Sequence, residues 1–133
     1  MNIKGKQILV INILLFALLF GLVSINKEVF RPSFSHIPFL NILTGIFPNF
    51  IAAFIISLAL INAVLLKKPR HGRIFAYMGS VLVFVLLTIE EFKPMWGASE
   101  TYDSFDILAS GIGSLLSVSV FEIITFSRNH KPR

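Results

Sequence analysis

An all-α, polytopic membrane-integral fold follows from three observations on this chain. Of its 133 residues 55% are hydrophobic, and the mean hydropathy is +0.80. Charged residues make up only 14%, against roughly 25% in a soluble domain. The apolar residues fall into four long runs separated by short polar or proline-bearing connections. A soluble chain of this length has no way to hide so much apolar surface, whereas lipid can solvate outward-facing side chains. Four apolar segments are too few to close a β-barrel, so each span must be helical to satisfy its own backbone. The expectation is one transmembrane domain over residues 1–133, a compact four-helix bundle with spans near 8–25, 50–66, 73–90 and 106–126.

The first run, Ile8 to Ile25, follows MNIKGKQ. It is longer than the h-region of a signal peptide and no small-x-small cleavage site follows, so a retained span is expected. Residues 26–49 form the longest connection, punctuated by Pro32, Pro38 and Pro48. Its second half, Ile37 to Phe47, is apolar but too short to cross a bilayer core of about 30 Å. It reads as a partly apolar outer loop resting at the headgroup boundary. Asn49, after Pro48, reads as an N-cap for the second span. That span, Phe50 to Leu66, ends in KKPRHGR, and the third, Ile74 to Ile89, returns from this basic turn. The fourth, Ile107 to Phe126, runs into SRNHKPR.

Charge orients the spans. Nine Lys and Arg fall on the side holding both termini and the turn at Lys67 to Arg73, and three (Lys27, Arg31, Lys93) on the other. By the positive-inside rule both termini are cytoplasmic. The net charge of +5 is then explained by anionic headgroups rather than nucleic acid. Glu122, near the cytoplasmic end of the fourth span, has Arg128 as its expected neutralising partner. His36, His71 and His130 read as exposed or headgroup-facing. No cysteine is present, which excludes disulfides and thiolate chemistry.

Five of the seven acidic residues lie between Glu90 and Asp106. Pro94 ends the third helix there, and Trp96 and Tyr102 suit an aromatic belt. Asp103 and Asp106 share a face at the start of the fourth helix, where free amides favour anions. Capping accounts for one of them. Glu90, Glu91, Asp103 and Asp106 together are candidates for a divalent-cation site, since hard cations want several carboxylate oxygens. Glu90 and Asp106, at the ends of neighbouring spans, are the candidate catalytic or proton-carrying pair. Whether the chain is an enzyme stays open, and no cofactor is identified beyond that cation. The alternative is a solvated loop with an N-cap.

Ala109, Gly113 and Ser117 repeat at intervals of four, with Ser110 and Ser114 one residue on. Such small-xxx-small faces let helix backbones approach closely in lipid. The expected partner of this face is the third or the first span, with a homodimer seam as the other option. Phosphate-binding glycine loops, paired-histidine metal motifs and nucleophile–His–acid arrangements are absent from the sequence.

Residues 90–114 resemble part of the VanZ-like family of small bacterial membrane proteins. Glu90 matches that pattern's glutamate, Asp106 its aspartate and Gly111 its first glycine, with Gly113 and Ser114 in the small-residue region. Ser110 stands where the family has asparagine, Lys93 replaces a glutamine, and the outer-loop arginine is missing. The resemblance implies a bacterial inner-membrane protein of the cell envelope. Two function classes follow. One is an outward-facing acidic site that binds or acts on an envelope lipid or cationic ligand. The other is a non-catalytic subunit that assembles with itself or another membrane protein, with a small transporter as a weaker third.

Overall fold

The computed structural model describes residues 2–93 and 103–130, and these are helical almost throughout. The helices are α1 (Ile3–Ile25), α2 (Arg31–Phe34), α3 (Pro38–Lys67), α4 (Gly72–Phe92) and α5 (Ser104–Asn129). A π-helical turn, Asn26–Phe30, carries α1 into α2 without a break. The four resulting helices, Ile3–Phe34, α3, α4 and α5, are long and apolar enough to cross a membrane, which marks the protein as membrane-integral. The readings of Pro94, Trp96 and Tyr102, and the counted charges of Glu100, Lys131 and Arg133, lie outside the described residues.

The segment read as a long loop is almost entirely helix. Only residues 35–37 separate α2 from α3. Pro32 and Pro38 each stand in the first turn of a helix, where the missing N–H has no intrahelical partner to lose. Pro48 lies inside α3. The second span therefore starts at Pro38, and Asn49 is a mid-helix residue rather than an N-cap. With 30 residues, α3 is about 45 Å long, longer than the hydrocarbon core. Lys68 closes it in the left-handed conformation at φ 48°, its N–H returning to the Val64 carbonyl at 2.9 Å.

Helix α3 organises the rest. It packs against α1, α4 and α5, while α4 and α5 also pack on each other. Among the described residues α1 touches only α3 and its own continuation. The arrangement is three mutually packed helices with a fourth laid along one flank, not a closed ring of four. No residue of α1 is fully buried. A partly buried stripe including Ile8, Asn12, Leu15 and Leu19 lies along one face, the helix packs on α3, and lipid can solvate its remaining faces. Two polar contacts add to that packing: Asn62 Nδ2 donates to Asn12 Oδ1 at 2.9 Å, and Asn26 bonds α3 further along.

The buried face of α5 comprises Ala109, Ser110, Gly113, Ser114, Ser117 and Phe121. Its closest partner is the second span, not the first or third. A Cβ built on Gly113 would collide with the Phe50 carbonyl oxygen and lie 3.1 Å from both the Ala53 Cβ and the Phe54 nitrogen. Helix α3 can approach so closely because it presents Ala53 and Ser57, both at 0% exposure. Against α4 the same helix offers Ser117, whose Oγ lies 3.4 Å from Ser80 Oγ. Large side chains such as Leu115 and Ile123 point away from this seam and remain exposed to lipid. In lipid the helices gain little from burying apolar surface, so association depends on such close fit and on interhelical hydrogen bonds.

Gly113 and Gly111 make a matched test of the seam. A Cβ at Gly111 would meet only Phe84 side-chain atoms, at an ordinary 3.4 Å. Gly113→Ala should lower stability by about 1–3 kcal/mol, the usual cost of overpacking, while Gly111→Ala stays near neutral. Thermal melts of the two purified variants in one detergent measure the difference, and equal midpoints would count against backbone contact at Gly113.

Candidate functional site

Pro48 creates a local problem that other residues solve. It has no N–H, so the Thr44 carbonyl four residues earlier loses its helical donor. Within a span such a carbonyl needs another partner. Asn26 supplies it: Nδ2 donates to the Thr44 oxygen at 2.8 Å, and Asn26 is only 1% exposed. The Thr44 hydroxyl turns back along its own helix to the Leu40 and Asn41 carbonyls, at 3.0 and 3.1 Å. One residue on, the Gly45 carbonyl accepts from Arg31 Nη2 at 3.4 Å. The turn that begins at Asn26 and the helix that begins at Arg31 are thus tied to the break in α3.

Beside this break lies a cleft of about 520 Å³, lined by Arg31, Ser35, Asn41, Gly45, Asp103 and Asp106 among others. It brings one cation and two carboxylates together at the end of the spans opposite the basic turn. Asp103 is the N-cap of α5, its Oδ1 accepting the Phe105 N–H at 2.9 Å. Asp106, in the first turn, lies near enough to the Asn49 side chain across the gap to α3 for that amide to favour its charged form. Its Oδ1 is buried without a hydrogen-bond partner among the described residues.

The acidic residues singled out in the sequence fare differently from one another. Asp103 and Asp106 line the cleft, whereas Glu90 and Glu91 do not. Glu91, rather than Glu90, reaches α5, with Oε1 accepting the Asp103 N–H at 3.2 Å. The four do not gather as a ligand set: among the described residues no three Asp, Glu or His side chains are placed to hold a metal. The carboxylates of Glu91 and Asp103 are instead engaged with backbone N–H groups at the start of α5. Sequence reasoning missed Arg31, Asn41 and Asn49 as cleft and carboxylate partners, and Asn26 as the donor to Thr44. The available signal was Pro48 itself, because a proline within a span requires a donor from elsewhere.

At the opposite end, Glu122 is neutralised by Arg73, not Arg128. Arg73 Nη2 lies 2.9 Å from Glu122 Oε2, and the Tyr77 hydroxyl donates to Oε1 at 2.6 Å. Arg128 Nη1 instead bonds the Leu65 carbonyl at 3.3 Å. Arg73 and Tyr77 are one turn apart on α4, which faces Glu122 antiparallel to α5. Arg128 lies more than a turn beyond Glu122 on the same helix.

Comparison of the chain with protein-family models, curated proteins and solved structures finds no match.

The role of Asn26 is testable by a double-mutant cycle with Pro48. Asn26→Leu should cost about 1–3 kcal/mol by leaving a buried carbonyl unpaired. In a Pro48→Ala background residue 48 regains an N–H that can reach Thr44, so the same Asn26→Leu change should cost much less. Denaturation midpoints of the four proteins measure the coupling, and identical losses in both backgrounds would refute the pairing.

Proposed function

We propose that this is a bacterial inner-membrane protein of the cell envelope whose cleft at Asp106 faces outward and binds the head group of an amine-bearing envelope lipid. The observation that carries the reading is the carboxylate of Asp106, with one oxygen left unpartnered at a cleft that also holds Asp103 and Arg31. A zwitterionic head group matches that pairing: its ammonium complements the two aspartates and its phosphate complements the guanidinium. Arginine suits the phosphate because its planar fork presents several donors at once. The nine-to-three division of Lys and Arg supports an orientation with both termini in the cytoplasm. The resemblance of residues 90–114 to the VanZ-like family fits the same location.

The assembly-partner reading has one observation in its favour. A second cleft of about 540 Å³ between α4 and α5 is almost wholly apolar, with Phe84, Gly111, Leu115 and Val118 among its lining residues. Stoichiometric co-purification with another membrane protein, abolished by filling Gly111, would put that reading first.

Orientation is checked by cysteine labelling in intact cells. A cysteine at Ser35 should react with an impermeant reagent added outside, and one at Ser127 only after permeabilisation. The opposite pattern would invert the orientation.

Binding is checked by native mass spectrometry of the full chain with phosphatidylethanolamine or phosphatidylcholine. The ethanolamine lipid should bind more tightly, because a choline has no N–H to donate. Asp106→Asn should weaken it by roughly tenfold or more, the usual worth of a hydrogen bond to a charged group. Glu90→Gln, outside the cleft, should leave it unchanged. Equal binding of both lipids by wild type and Asp106→Asn would end the proposal.

A further inference from the structure

The other end of the protein carries a cleft of different chemistry. It has a volume of about 420 Å³ and lies where the α3–α4 turn meets the last turns of α5. Its rim is basic, formed by Lys68, Arg70, Arg73 and Arg128. Its inner wall is apolar, with Val64, Leu65 and Phe121, which belong to the hydrophobic cluster around Ile61 and Ala76. No acidic residue lines it.

The four cations are not equivalent. Arg73 is offset by Glu122, and Arg128 is anchored on the Leu65 carbonyl. Lys68 and Arg70 have no acidic partner among the described residues. The backbone presents them deliberately. Lys68 is the only non-glycine residue with positive φ among those described, and this left-handed cap turns the chain sharply out of α3 so that Lys68 and Arg70 flank the cleft mouth. The result is a site with unneutralised positive charge at the rim and hydrocarbon at its base, placed at the end of the spans where head groups lie.

We infer that this cleft holds the phosphate of an anionic phospholipid, with Lys68 and Arg70 supplying the charge and the glycerol–acyl junction resting on Val64, Leu65 and Phe121. A phosphate group is the shared chemistry of a lipid and of a soluble phosphate ester. The apolar wall favours the lipid, since a soluble ester would leave that surface unmatched. Basic pockets between spans are a recurring way of holding such head groups, and each Lys or Arg near the surface contributes modestly. The inference is independent of the outer cleft and of which way the protein faces.

The test uses the full chain in a neutral detergent, titrated with phosphatidylglycerol and followed by native mass spectrometry. Lys68→Asn combined with Arg70→Gln removes two rim charges, asparagine being tolerated at the left-handed position. Binding should weaken roughly fivefold per charge, or about 25-fold for both. Lys4→Gln with Lys6→Gln removes the same charge from the exposed start of α1, away from the cleft, and should leave binding within about twofold if the site is local rather than diffuse. Should the first variant lose its cooperative melt, Arg70→Gln alone carries the test with a fivefold effect. Equal weakening in both double variants, or none in either, would overturn the site. Displacement of the lipid by glycerophosphate at comparable concentration would overturn the lipid as its occupant. Phosphatidylethanolamine binding should be unaffected by the rim variants, so failure here and failure of the outer cleft are distinguishable.

Discussion

The contact of Gly113 with the α3 backbone sets the register of the molecule. Helices α3 and α5 run parallel, and no side chain separates them where Gly113 meets the Phe50 carbonyl and the Phe54 nitrogen. The two helices stay in contact along much of their length on either side of that point. Towards the start of α5, Asp106 lies near Asn49. Towards its end, Arg128 bonds the Leu65 carbonyl. The polar cleft at Asp106 and the basic cleft at Lys68 lie towards opposite ends of this same helix pair. Two serines of the seam serve it through their size: Ser57 and Ser114 are buried with hydroxyls that have no partner among the described residues, so smallness rather than hydrogen bonding explains them.

Polar side chains within the spans play different parts. The asparagines are placed where the bilayer would otherwise leave a carbonyl unpaired or where two helices meet. Asn26 repairs the carbonyl that Pro48 orphans. Asn62 and Asn12 tie α1 to α3. Thr88 and Ser119 return their hydroxyls to carbonyls one turn back on their own helices. Among the buried oxygens without a partner in the described residues, those of Ser57, Ser114 and Asp106, the Asp106 carboxylate is the one from an ionisable side chain. A buried carboxylate oxygen costs free energy unless something hydrogen-bonds it, and this one lies beside a polar cleft.

Much of the architecture was legible from composition and order alone. Helical spans, their number and the division of basic charge between two ends all follow from runs of apolar residues and the need to satisfy backbone groups in lipid. The extent of the second span was not legible. Prolines were read as punctuation, yet two begin helices and the third lies within one. A proline inside a helix is tolerated only when a donor arrives from elsewhere, and that donor, Asn26, is eighteen residues from Thr44 in the chain. The same blindness hid the cleft. Arg31 and Asn41 looked like loop residues, and Asn49 like a cap, because the segment carrying them looked like a loop.

What the sequence determined by itself was therefore the solvent and the local rules: a chain this apolar belongs in lipid, its spans are helices, and the small residues of α5 permit close contact. What only the tertiary structure decided was which helix makes that contact, which acidic residue meets which partner, and which arginine neutralises Glu122. Local rules act through neighbours along the chain, at helical spacing. Partner choice depends on complementary shape between helices distant in sequence, such as Gly113 on Ala53 and Phe54, and a pattern on one helix cannot specify the surface it will meet.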